Sequence, residues 1–156
     1  MPEPTITHLE RRKIEAAVLI PVVQAFQRAI GEERANEIAR EAVAGLARLD
    51  GERWAGQFAQ DLSGMEELFG FFAAGGSLEI ERVERSAHEL RFDVTRCAYA
   101  DFYRETGVPE FGYLFSCARD LTMVEGFCPG MKLERTQTIM QGAACCDFRY
   151  RLVRRE

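Results

Sequence analysis

Lysine is nearly absent from this chain: only Lys13 and Lys132 occur among its 156 residues, so the positive charge is almost all arginine. With a net charge of −5 and neither a lysine run nor a basic stripe, the chain lacks the footprint of a nucleic-acid or membrane-surface binder. It has no apolar run approaching a membrane span, and "MPEPTITHLERRK" shows no apolar segment behind a basic start, which predicts a cytoplasmic protein. Histidine is confined to His8 and His88, expected in a helix cap and a hairpin turn, which leaves a Cys–His dyad unsupported. The five cysteines form no CxxC pair. A zinc knuckle is therefore not indicated, and free thiols are expected.

What is present suits one soluble domain over residues 1–156, with a hydrophobic fraction of 47% and a charged fraction of 29%. Thr7 and Glu10 resemble a capping box at the head of a helix reaching Ile30, in which Ile14, Val18, Leu19, Val22, Phe26 and Ile30 recur at helical spacing. Pro21 should kink or split it. A second helix over 32–48 carries Ala35, Ile38, Ala42, Leu46 and Leu49 on one stripe. A break at Asp50-Gly51 should precede a third, and residues 64–74 form a short helical or irregular segment.

The period then changes. "SLEIERVERSAHELRFDVTRCAYA" reads as two strands joined near Arg85 to His88, residues 109–125 as a helix, and "MKLERTQTIMQGAACCDFRYRLV" as a hairpin turning near Gln141-Gly142. The expected fold class is α+β: N-terminal helices packed on a four-stranded, mainly antiparallel sheet in the order helices-ββ-α-ββ.

The chemistry-bearing residues converge on the seam between the late helix and the sheet. Strand alternation groups Cys146 with Phe148 and Tyr150 on the inner face, and Cys145 with Asp147 on the other. Cys117 lies on the apolar stripe of the helix with Asp120 three residues on, and Glu125 stands close to the helix end. Arg135 projects on the line of Leu133, and an arginine there needs an anion from the protein or from a ligand. Alternation places Cys97 on the outer face unless a bulge intervenes. Each cysteine taken alone is compatible with plain packing, and Arg135 with an internal ion pair.

"CAYADFYRETGVPEFGYLFSCARDLTMVEGF" followed by "ERTQTIMQGAACCDFRY" resembles the L-2-amino-thiazoline-4-carboxylic acid hydrolase family. The likeness rests on Cys97-x-Tyr99, Cys117-x-x-Asp120, Arg135-Thr136, Gly142 and Cys146-Asp147-Phe148, and the opening "LERRKIEAAVLIPVVQAF" is also similar. It implies a hydrolase that opens a cyclic isothiourea bearing a carboxylate. The element order is also similar to ligand-binding domains of the vinyl-reductase type, not all of which are enzymes.

On this reading Cys117 is the preferred nucleophile and Cys146 the second choice, attacking an amidine-type ring carbon. Asp120 or Glu125 moves protons or holds the amino group. Arg135 binds the carboxylate, and Cys97, Tyr99 and Asp147 complete the substrate-binding set. A thiol of ordinary pKa near 8.5 needs a positive neighbour or a base to react at neutral pH. No cofactor is required, although Cys97, Cys117, Cys146 and Asp120 form a donor set that zinc could accept. The third reading is a non-catalytic binding module for a small acid or amine. The apolar N-terminal helix and acidic surface are compatible with a homo-oligomer.

Overall fold

In the computed structural model, which describes residues 5–153, the chain opens with a long helical hairpin. Helix α1 (His8–Ile30) starts on the expected capping box: the Thr7 hydroxyl accepts from the Glu10 amide at 3.1 Å, and the Glu10 carboxylate accepts from the Thr7 amide at 2.7 Å. Pro21 lies inside α1 without splitting it. Gly31, at a φ of +92° that other residues rarely adopt, turns the chain into α2 (Glu32–Ala55).

The break expected at Asp50-Gly51 does not occur, because Gly51 has another task. There α2 crosses α6 (Arg119–Phe127) with backbones in contact. A Cβ on Gly51 would lie 2.1 Å from the Met123 carbonyl oxygen, and one on Gly126 would lie 2.1 Å from that of Arg48. This crossing also shifts the stripe predicted for α2, of which Ala35 alone is buried. Small residues face inward, with Ala35, Val43, Ala47 and Gly51 buried, while Ile38, Leu46 and Leu49 face out. Helix α1 behaves alike, burying Arg12, Ala16 and Val23 and exposing Ile14, Val18, Val22, Phe26 and Ile30.

Helix α3 (Leu62–Phe72) is capped by Asp61, which accepts from the Gly64 amide at 2.9 Å. Strands β1 (Leu78–Arg85), β2 (Glu89–Cys97), β3 (Met131–Glu134) and β4 (Cys146–Leu152) form one antiparallel sheet in the order β1-β2-β4-β3. The fold is α+β, as expected. The paired Phe92 and Phe148 stack at 5.1 Å on the inner face, under Phe69 of α3 and in one core with Met123, Val124 and Phe127 of α6. Along this face Leu90, Phe92 and Val94 alternate, and then the register slips. Leu78 pairs with Cys97 and Glu79 with Arg96, but Ile80 pairs with Val94, so Thr95 is an extra residue. This is the bulge that Cys97 needed to reach the inner side.

Two departures lie between β2 and β3. The second strand ends at Cys97, and a helix, α4 (Ala98–Glu105), follows in a stretch for which no helix was expected. The helix expected over 109–125 is composite: a short α5 (Glu110–Gly112), a π turn (Tyr113–Cys117) and then α6. In the π turn the Ala118 amide donates to the Tyr113 carbonyl, five residues back, at 2.8 Å. The added residue rotates α6 about its axis, so that Leu121, expected on the apolar stripe, is exposed, while Arg119, Met123 and Phe127 are buried.

Gly51→Ala or Gly126→Ala should force the two helices apart and lower stability by about 2–4 kcal/mol. Gly45→Ala, on the open side of α2 with nothing within 4 Å of its added Cβ, should stabilise by about 0.5–1 kcal/mol. Urea denaturation of the three variants checks this.

Candidate functional site

Between the sheet and the helices lies a mainly apolar cavity with about 750 Å³ of unfilled space, its mouth included. Phe69, Phe72, Trp54, Met123, Met140 and Phe148 contribute its apolar walls. Its polar groups fall into two sets.

The first set contains the residues singled out in the sequence. Cys97, Tyr99, Cys117, Asp120, Arg135 and Cys146 all line the cavity. The bulge at Thr95 delivers Cys97, strand alternation delivers Cys146, and the π turn with the first turn of α6 delivers Cys117 and Asp120. Arg135 comes directly after β3. Its guanidinium is 3% exposed and lies 5.2 Å over the Phe148 ring. It donates to Asp120 Oδ2 at 2.7 Å and to the Cys117 carbonyl at 3.0 Å. The protein thus supplies an anion to Arg135, in the internal ion pair that the sequence left open beside a substrate carboxylate. Burial disfavours its charge, but Asp120 and Cys117 more than offset this and hold its pKa above the ordinary value. Burial pushes the Asp120 carboxyl up, and Arg135 opposes the rise.

The three thiols differ in their surroundings. Cys97 caps α4, its sulfur accepting from the Ala100 amide at 3.4 Å. The sulfur of Cys146 accepts from the Ile139 amide at 3.1 Å. Cys117 Sγ has no such bond among the described residues and faces the cavity uncommitted. Burial raises all three. Cys146 is pushed up to about 11 with the Ile139 amide opposing, Cys97 is raised, and Cys117 goes well above the thiol range, where the charge of Asp120 adds to burial and Arg135 only partly offsets it. A resting thiolate stabilised by Arg135 is therefore not what this environment favours. Tyr99 donates from its hydroxyl to the Phe72 carbonyl at 2.8 Å. Among the described residues no group of three or more His, Cys, Asp or Glu side chains is placed to hold a metal ion.

Two candidates fall outside. Glu125 lies five residues beyond Asp120, which carries it to the far side of α6, where it pairs with Arg48 on the surface at 2.6 Å. Asp147 faces away from the cavity, as its neighbour Cys146 faces in. It accepts from the Thr136 and Gln137 amides, each at 2.9 Å, and from the Thr136 hydroxyl. Burial raises the Asp147 carboxyl, but these bonds together hold it below the ordinary range. Its task is to pin the loop that carries Arg135. Cys145 lies on the outer side beside Gln137, as alternation predicted.

The second polar set was missed in the sequence: His8 and Arg12 of α1, Asp50 of α2, and Arg119 at the head of α6. Two signals were available. Arg12 stands on the small-residue line with Ala16 and Val23, and Arg119 stands at four-residue spacing between Phe115, Met123 and Phe127, so each is a charge on a buried line. His8, expected in solvent, packs 4.4 Å from Phe72, and burial together with Arg12, Arg11 and Arg119 lowers its pKa to about 3.

The fold and site define an α+β domain built around one buried, thiol-lined cavity. The sequence matches the family model for L-2-amino-thiazoline-4-carboxylic acid hydrolase over residues 11–150, and the chain belongs to that family. No curated protein matches it. Among solved structures it is similar to the phenol-responsive sensory domain of the transcription activator PoxR with phenol, at 13% identity and a TM-score of 0.48, covering 88% of this chain and 74% of that one. No described helix is long and apolar enough to cross a membrane.

His8 makes the stability of this wall pH-dependent. Its folded pKa, about 3, lies below the ordinary 6.5, so as pH falls the unfolded chain takes up the proton first. Stability is complete above about pH 6.5 and drains away as pH drops toward 3. The unfolding free energy of the parent relative to His8→Gln should fall by about 3 kcal/mol between pH 7 and pH 4, read by urea denaturation at each pH. A second prediction concerns the ion pair: Arg135→Met leaves Asp120 buried without its partner and should cost about 3–5 kcal/mol, whereas Arg135→Met with Asp120→Leu should recover most of that loss in thermal and urea melts.

Proposed function

We propose that this chain is a hydrolase that opens a small carboxylate-bearing ring at a C–N bond of an amidine or isothiourea group, using Cys117 as nucleophile. The observation that carries this reading is the convergence of Cys117, Asp120 and Cys146 on one largely apolar cavity. The substrate class comes from the family to which the chain belongs. A thiol raised by burial does not react as a preformed thiolate, so its proton must leave as the bond forms. Asp120 is suited to accept it, since burial has made its carboxyl more basic than usual.

In this scheme Cys117 sulfur bonds to the amidine carbon. The thiol proton passes through Asp120 to the ring nitrogen, and the ring C–N bond breaks as that nitrogen leaves as an amine. Water then attacks the same carbon and displaces the sulfur, which takes back a proton. One water is consumed and the thiol is restored. Arg135 positions Asp120 and the Cys117 backbone. The amide-bonded sulfur of Cys146 is a wall of the site and the alternative nucleophile.

A binding module without turnover is favoured by one specific observation: burial raises all three thiols, and two of the sulfurs already accept backbone amides. The discriminating experiment is turnover of 2-amino-thiazoline-4-carboxylate by purified protein of known zinc content. Cys117→Ser should abolish it, because a hydroxyl is a far weaker nucleophile. Asp120→Asn should slow it by about a hundredfold or more, and Cys145→Ser, on the outer side, should leave it unchanged. Binding without turnover in the parent protein would establish the binding module, and full activity in both Cys117→Ser and Cys146→Ser would remove thiol catalysis.

A further inference from the structure

Arg135 is already paired with Asp120, which turns attention to the other arginines that line the cavity as receptors for a carboxylate. We infer that the Arg12–Arg119 pair, at the α1 side of the cavity, binds the carboxylate of the substrate; this rests on the functional reading above for the substrate class. The Arg119 side chain is 6% exposed. Its Nε donates to the Phe115 carbonyl at 2.7 Å, and its Nη2 reaches Glu15 at 3.5 Å. Its Nη1 is sealed from solvent and donates to no acceptor among the described residues. Asp50 Oδ2 lies 3.5 Å from that nitrogen, outside hydrogen-bonding geometry.

Arg12, 10% exposed, commits Nη1 to Glu15 at 2.6 Å, while its Nη2 stays 3.9 Å from the same Asp50 oxygen. Two guanidinium nitrogens thus flank one poorly placed carboxylate oxygen on the cavity wall. A buried donor without a partner is costly, and a bidentate carboxylate satisfies such a fork. The neutral imidazole of His8 lines the same end without adding charge. Asp50 is the competitor: its carboxylate screens the two arginines from each other in the free protein and gives way to a better-aligned anion.

The test is calorimetric binding of 2-amino-thiazoline-4-carboxylate and of its carboxamide, with turnover of the acid followed separately. The parent protein should prefer the acid by tenfold or more on the scale of one charge-assisted pair, about 1.4 kcal/mol or above. Arg119→Gln and Arg12→Gln should erase that preference. Asp50→Asn should strengthen acid binding severalfold and leave the carboxamide unaffected, an effect that a purely structural ion pair does not produce. If Arg119→Gln fails to fold, the Asp50→Asn measurement decides. Retention of the preference in Arg119→Gln, or no response to Asp50→Asn, overturns the assignment. Arginine-dependent selectivity without turnover sustains the subsite while the hydrolase reading falls, and turnover indifferent to Arg119 does the reverse.

A second, independent observation concerns the outer face of the helical hairpin. Ile14, Val18, Val22, Phe26 and Ile30 of α1, with Ile38, Leu46 and Leu49 of α2, are each between 42% and 63% exposed. Between them on the exposed side of α1 stand Ala17, Pro21, Ala25 and Ala29, with Arg28 near the helix end, so from Ile14 to Phe26 the stripe carries no charge over about 18 Å of helix. Eight large apolar side chains this exposed present on the order of several hundred Å², above the usual patch of a monomer and in the range that a standard interface takes from each partner. We propose that a second copy of this chain covers it, in a two-fold pairing of like stripes.

Sedimentation velocity at micromolar protein should show a dimer, and Val18→Glu with Phe26→Glu should give a folded monomer. A parent protein that sediments as a monomer, a dimer that survives both glutamates, or a monomer captured by phospholipid vesicles would each overturn the pairing.

Discussion

A guanidinium sealed under a helix must be given an anion, and the way Arg135 receives one organises the molecule. Its partner Asp120 opens α6, and its second acceptor is the backbone of Cys117 just before that helix. One side chain leaving the end of β3 therefore fixes the start of α6 relative to the sheet. The loop that carries it is pinned from below by Asp147, and Phe148 lies under its plane. Cysteine, carboxylate and arginine stand together because the ion pair would be costly with any of them displaced.

The same helix is held from the other side by a contact of a different kind. At the crossing of α2 and α6, Gly51 and Gly126 bring backbone to backbone, which sets Asp50 beside Arg119 and closes the cavity roof. Electrostatics fixes α6 to the sheet and steric smallness fixes it to the helical layer. The cavity is the space these two fixings leave between them. Burial raises every thiol that lines it, which slows adventitious oxidation of groups that react as thiolates.

Much of this is legible in the sequence. The Thr7–Glu10 box, the change of period near Leu78, the inward Cys146 and the outward Cys145 come from local rules, and the antiparallel α+β architecture comes from them in turn. The misplaced residues have separate physical causes. Assigning helix faces by the largest apolar residues fails for α1 and α2, which pack through their small ones, and this conceals Arg12 on its buried line. The π turn adds one residue to a period of 3.6, so Leu121 is expected inward and Arg119 escapes notice. Glu125 is close to Asp120 in sequence, although five residues along a helix lead to its opposite side. Arg135 visibly needs an anion, but pairing over fifteen residues cannot be chosen from spacing alone.

The π turn at Tyr113–Cys117 also has a genetic meaning. A π turn is a helix carrying one residue more than its hydrogen-bond ladder needs. Loss of a single codon there would restore a regular helix, which the flanking segments could still accommodate. The register between the aromatic wall of Phe111 and Phe115 and the charged residues of α6 would change by about 100°. Cys117 and Asp120 could then no longer face the cavity on the same phase as the apolar anchors around them. A deletion of this size is a small evolutionary step, and it would separate the cavity from the Cys117–Asp120 pair without dismantling the fold.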